Sequence, residues 1–145
     1  VEHIAADTAS SQFYKGLLDG EAKAVFNGRV HIHRDAQRSN AAQLNNNMLL
    51  SPKAEANTKP ELEIDADDVK ASHGATVGQL DEDHIFYLQT RAISKKQAIQ
   101  LLSEGFAQEI PYRIRNQSLR EGAKRVVADR LFTLKETDRG GRRGV

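Results

Sequence analysis

TKPELEIDADDVKASHGATVGQLDED, residues 58–83, decides how this chain is read. In Leu62-Glu63-Ile64-Asp65-Ala66 apolar and acidic residues alternate, the period of a half-buried strand. Asp67-Asp68 is a turn signal, because short acidic side chains bond back to their own backbone. Val69-Lys70-Ala71-Ser72-His73 alternates again, and side chains repeat every two residues along a strand, so His73 shares a face with Val69 and Ala71. Gly74 and Gly78 then permit backbone angles or close chain approach that other residues resist. On its own pattern His73 reads either as a satisfied wall histidine or as a functional one.

Working toward the N-terminus, the same kind of pattern continues. Ile4 reads as the end of an earlier strand. Gln12 to Leu18 reads as a strand closed by Asp19-Gly20, and Ala22 to Phe26 as another closed by Asn27-Gly28. Arg29-Val30-His31-Ile32-His33 follows, with Val30 and Ile32 on one face and both histidines on the other. Two histidines at that spacing could share a metal, but no nearby carboxylate or thiol pattern completes a site of three or four ligands, so an exposed strand face is expected. The segment AQRSNAAQLNNNMLLS, residues 36–51, is rich in Asn. Asn tolerates tight left-handed turns and can stack its amide between parallel rungs. Ser51-Pro52 marks a further turn. Short strands with almost no helical periodicity suit an antiparallel sandwich or a β-solenoid. Small inward residues, few aromatics and the Asn-rich corner favour the solenoid.

The period changes after Gln79. Asp81 or Asp83 is expected to cap a short helix carrying Ile85, Phe86 and Leu88. Ser94-Lys95-Lys96-Gln97 fits a capping box, and Ala98, Leu101, Leu102, Phe106 and Ile110 form one apolar face behind it. Pro111 should end or kink that helix. A second capping box, Ser118 to Glu121, is expected to open another helix. Its buried stripe would be Leu119, Ala123, Val126, Val127, the stem of Arg130 and Leu134, with Arg120, Lys124 and Arg125 opposite. The Gly- and Arg-rich end, 137–145, is expected to be disordered.

Composition narrows the function. The 145 residues suffice for one ordinary domain or part of a larger one. A formal charge of +1, with basic residues scattered before the tail, supports neither nucleic acid nor an acidic membrane as partner. There is no cysteine, so no disulfide and no thiolate can come from this chain. No apolar run approaches a membrane span of roughly 20 residues. The start lacks the pattern of a secretory signal. It is Val, not Met, and is read as beginning inside a longer protein. No phosphate-binding glycine loop and no GxSxG occurs. Asp65, Asp67 and Asp68 lack the Gly and distal Glu of an EF-hand loop.

The string LEIDADDVKASHGATVGQLDEDHIFYL resembles the SufB/SufD family of iron–sulfur cluster assembly proteins, on its SufD side. FYKGLLDGEAKAVFNG, NNNMLLSPKAEANTKPELEI and SKKQAIQLLSEGFAQEI match the same family in order, so the resemblance spans roughly residues 3–134. It implies a mainly β fold: the end of a right-handed parallel β-helix over 1–80, then a small C-terminal α-helical domain over 81–136. It implies a cytoplasmic, non-catalytic scaffold that pairs with a SufB-like subunit through the β-helix. A SufC-like ABC ATPase would dock on the helices, where Ser94, Leu101, Leu102, Phe106 and Ile110 are the expected contact positions. His73, the histidine of the SHGAT string, is implied as a ligand of a transient iron–sulfur cluster shared with the partner. Many relatives carry Cys where this chain has Ala71, so thiolates would have to come from that partner. Alone, the chain could cover an open coil edge by pairing with itself. The competing expectation is a sugar-active β-helix lyase or hydrolase using Asp65, Asp67 and Asp68.

Overall fold

The computed structural model describes residues 1–137, with side chains up to Leu131. Contacts divide the chain into one unit over Val1–Gln79 and a second from Leu80 onward. The first holds six strands: β1 (Glu2–His3), β2 (Ala9–Leu18), β3 (Lys23–Ile32), β4 (Asn40–Leu49), β5 (Glu55–Ile64) and β6 (Lys70–Gln79). Successive strands alternate between two sheets, ordered β1-β3-β5 and β2-β4-β6, and every pairing is parallel. With the three helices of the second unit, the described fold is mixed α/β, and its two sheets do not close on each other.

The register is unbroken. Ala9 to Leu18 pairs residue by residue with Asn40 to Leu49, and that strand again with Lys70 to Gln79. Three turn or breaker signals are overridden by this pairing. Asn27-Gly28 lies inside β3, with Gly28 opposite Pro60, so the two short strands expected around it are one. Pro60 is tolerated because β5 ends its sheet and needs no donor on its outer side. Gly74 and Gly78 lie within β6 at ordinary strand angles, since the one positive-φ glycine among the described residues is Gly20. A Cβ on Gly74 would come within 3.1 Å of Leu44 Cδ1.

Val30, Ile32, Ala36, Ala41 and Ala66 form the apolar core between the sheets, with Leu62, Val69 and Ala71 packed against it. Several other buried positions are polar. The Asn-rich segment is the central strand of its sheet: Asn45 and Asn47 are buried, and Asn47 Nδ2 donates to Asn45 Oδ1 at 2.6 Å. Buried Gln43 donates through Nε2 to Gln12 Oε1 at 2.8 Å. These bonds offset part of the cost of burying such groups, although Gln43 Oε1 has no hydrogen-bond partner. Glycine makes the room. A Cβ on Gly16 would fall on the Asn47 amide, and one on Gly28 would lie 2.6 Å from Gln43 Oε1.

The second unit holds α1 (Glu82–Thr90), α2 (Lys95–Tyr112) and α3 (Gln117–Thr137). Asp81 caps α1, accepting from the Asp83 amide at 2.8 Å. Ser94 and Gln97 form the expected capping box of α2. Pro111 is buried in the last turn, and α2 ends one residue later. The start of α3 differs from expectation. Asn116 is the cap, its Oδ1 accepting from the Leu119 amide at 3.1 Å, while Glu121 pairs with Lys124 instead of closing a box with Ser118. The packed face also differs from expectation. Arg120, Ala123, Lys124 and Val127 are half-buried, whereas Leu119 and Val126 are 66% and 63% exposed. Arg120 turns back to donate to the Ile114 carbonyl at 2.8 Å, and Lys124 sits 4.6 Å over the Tyr112 ring. These two bases therefore line the packed face of α3, not the opposite one. Phe86, expected in an apolar stripe on α1, is likewise exposed. The Leu134 side chain and the tail over 138–145 lie outside the described residues.

Candidate functional site

His73 stands on β6, the last strand of its sheet, in register with Gln43 on β4, which is in register with Gln12 on β2. It shares its face with Ala71, which packs on the apolar core, but its own side chain is exposed. Its backbone is paired in parallel with β4 along all of β6. A histidine exposed on an end strand can offer an imidazole nitrogen to another molecule, the first need of a shared ligand.

The helical positions separate by burial. Ser94 serves its helix as cap, with the Gln97 amide donating to Ser94 Oγ at 3.3 Å and the Ser94 amide to Gln97 Oε1 at 3.1 Å. Leu102, Phe106 and Ile110 are half-buried, and Leu101 is half exposed beside a hollow lined by Ala92, Ile93, Gln97, Gln100 and Glu104. Leu101 is thus the apolar one of the five most open to another molecule.

A second cluster was only half visible in the sequence. His31 and His33 stack with ring centroids 3.9 Å apart. Register sets Glu2 of β1 on one side of His31 and Glu63 of β5 on the other. Asp65 accepts from His31 Nε2 at 2.9 Å, and this bond holds its carboxyl below the ordinary carboxylate range. Glu2 Oε2 lies 3.7 Å from His33 Nε2. Ligand atoms of Glu2, His31 and His33 all fall within 4.8 Å of one another. The expectation of an exposed strand face without carboxylates is therefore corrected. The carboxylates come from neighbouring strands, remote in sequence but one rung away, and the His31 side chain is only 13% exposed. The signal that could have found them is the spacing between paired strands, which is legible only once the pairing is known.

The three acids considered for sugar chemistry have separate tasks. Asp65 holds His31, and Asp68 belongs to the turn before β6, its amide donating to Gln37 Oε1 at 3.0 Å and its carbonyl accepting from the Arg38 amide at 2.6 Å. Asp67 is exposed in that same turn. Among the described residues no helix is long and apolar enough to cross a membrane.

Comparison with known proteins bears on these features. A family described as "SUF system FeS cluster assembly, SufBD core domain" matches residues 1–106. The chain is 47% identical over 124 residues to the iron–sulfur cluster assembly SufBD family protein slr0076 of Synechocystis, covering 86% of this chain and 27% of the relative. It is 39% identical over 131 residues to the iron–sulfur cluster assembly protein SufD of Escherichia coli, covering 90% of this chain and 31% of that protein. Protein ABCI7, chloroplastic, of Arabidopsis thaliana is 42% identical over 120 residues, covering 82% of this chain and 25% of its own length. The chain thus spans between a quarter and a third of these relatives. Unbroken parallel register, a family match across the whole strand unit and relatives of one kind agree: this chain belongs to the SufBD core domain family of the SUF iron–sulfur cluster assembly system.

Proposed function

We propose that this chain is a segment of a non-catalytic scaffold subunit in iron–sulfur cluster assembly. Its two-sheet parallel stack is the end of a right-handed β-helix whose last strands, β5 and β6, pair with a SufB-like subunit. Its helices dock a SufC-like ABC ATPase, and the compartment is the cytoplasm. Strand alternation between two sheets in unbroken parallel register supports the β-helix reading. Leu101 and the exposed apolar residues of α3, Leu119 and Val126, support the docking reading.

The observation that carries the proposal is His73, exposed on an end strand of a SufBD core domain. The nascent cluster is cargo, not a resident cofactor. Clusters are held chiefly by Cys sulfur, with His as an occasional replacement. This chain has no cysteine, so His73 supplies at most one ligand and the partner supplies the thiolates.

The test is a pull-down with a SufC-like ATPase, using this chain and a version ending at Ala92. Capture of the full chain but not the shortened one supports docking through α2 and α3. Failure of both, with circular dichroism showing folded protein, refutes it. Mixing with a SufB-like subunit under cluster-forming conditions then tests His73→Ala. Unchanged cluster absorbance, or a self-paired chain that ignores the SufB-like subunit, would remove His73 from the shared site.

A further inference from the structure

The histidine pair on β3 lies outside everything assigned to His73. Its geometry points to a separate site for a borderline divalent cation of the zinc or iron(II) class, held by Glu2, His31 and His33, with Asp65 positioning the His31 ring. Two imidazoles and a carboxylate are a donor set that suits such ions, and magnesium or calcium would call for oxygen ligands instead.

Four observations carry this. First, the three ligand atoms already lie within 4.8 Å of one another, so small side-chain rotations bring them to coordination distance. Second, His33 Nε2 is buried from solvent and has no hydrogen-bond partner, although it lies 3.7 Å from Glu2 Oε2. A buried ring nitrogen without a partner is costly unless something fills its place. Third, Asp65 bonds His31 Nε2 at 2.9 Å, the carboxylate–histidine contact that orients rings at metal centres. Fourth, Glu2, Glu63 and Asp65 gather three carboxylates around the two rings, against two arginines, Arg29 bonded to Glu63 and Arg34 acting electrostatically on Asp65. The cluster is therefore electronegative before any ion arrives. Positions come from three adjacent parallel strands, β1, β3 and β5, so the donors are fixed by sheet register and not by a mobile loop. The other histidine of this unit besides His73 is not available: both ring nitrogens of His3 are bonded, to Thr8 Oγ1 at 2.7 Å and Ser10 Oγ at 2.8 Å.

The inference does not rest on the scaffold reading and has its own test. The chain, stripped with chelator, is titrated with Co²⁺ while visible absorbance is followed, and with Zn²⁺ in a calorimeter. One equivalent is expected to bind, with imidazole ligand bands for Co²⁺ and a raised unfolding midpoint with Zn²⁺. His31→Gln and His33→Gln should each abolish one-to-one uptake. Asp65→Asn should weaken it by roughly ten- to a hundredfold while keeping the stoichiometry. His84→Gln, on the exposed face of α1, should change nothing. Circular dichroism midpoints without metal separate loss of binding from loss of fold. If a variant unfolds, Zn²⁺-induced shifts of the His31 and His33 ring protons in the native chain give the same answer. No stoichiometric uptake, or uptake indifferent to both histidine substitutions, overturns the proposal.

Discussion

Gly28→Ala puts the packing argument at risk most directly. A Cβ at this position would stand 2.6 Å from Gln43 Oε1 and 2.7 Å from Gln43 Nε2, with Phe26 Cε1 also at 2.7 Å. Gln43 is buried and its Nε2 is spent on Gln12 Oε1. The amide must swing away, which breaks that bond and strains neighbours from both sheets. Overpacking a filled interior costs about 1–3 kcal/mol. Stranding the part-buried Gln12 acceptor adds about 1 kcal/mol. The expected destabilisation is therefore about 2–4 kcal/mol. Urea unfolding by circular dichroism measures it, and hydrogen exchange at β3 and β4 amides assigns it to the strand unit. The double variant Gly28→Ala/Gln43→Ala supplies the decisive arm. Removing the Gln43 amide clears two of the three close atoms, so the two costs should fall short of additive by more than about 1 kcal/mol. A neutral Gly28→Ala, or full additivity in the double variant, refutes the reasoning.

Three other expectations follow from the same kind of reading. Ala92 has φ of 62° at the end of α1, where its amide bonds the Gln89 carbonyl and the Ile93 amide bonds that of Leu88, so Ala92→Gly should stabilise the helical unit by about 1 kcal/mol in thermal unfolding. Asn47→Ala leaves buried Asn45 Oδ1 without its donor and opens space beside Gly16, and should cost about 1–3 kcal/mol in urea unfolding. Arg38 bonds Asp7 at 2.7 and 2.6 Å, and that contact lowers the Asp7 carboxyl below its ordinary value of 3.8. A carboxyl depressed in the native state stabilises above its unfolded value and loses that contribution as pH falls through the lower native one. Carbon-detected NMR titration should show Asp7 titrating below 3.8 in the native chain and returning toward it in Arg38→Gln.

Local chemistry is what the sequence carried well. Alternation in 62–66 and 69–73 reported strands, which end at Ile64 and resume at Lys70, because side-chain period is a property of the backbone alone. Val30 and Ile32 reported the core, and both are almost fully buried. Ser94-Lys95-Lys96-Gln97 reported its helix start, since a capping box closes within one turn. The family was legible for a different reason: long strings of this chain resemble one group of proteins.

What failed has more than one cause. Asn27-Gly28 is the strongest short-range turn signal, yet pairing with Lys59 and Pro60 on the next strand holds it extended. Ser118 looked like a cap, but Asn116 lies two residues earlier with a free amide oxygen, and the helix took the first acceptor it met. Leu119 and Val126 read as buried, but the side chains α3 half-buries are those of Arg120, Ala123, Lys124 and Val127.

The histidine site divides along the same line. The sequence by itself determined His31 and His33 as neighbours on one strand face, because two residues is the strand period. Only the tertiary structure decided that Glu2 and Asp65 stand beside them. Parallel register brings strands that are far apart in the chain to within a rung of each other, and no local pattern encodes which rung that will be.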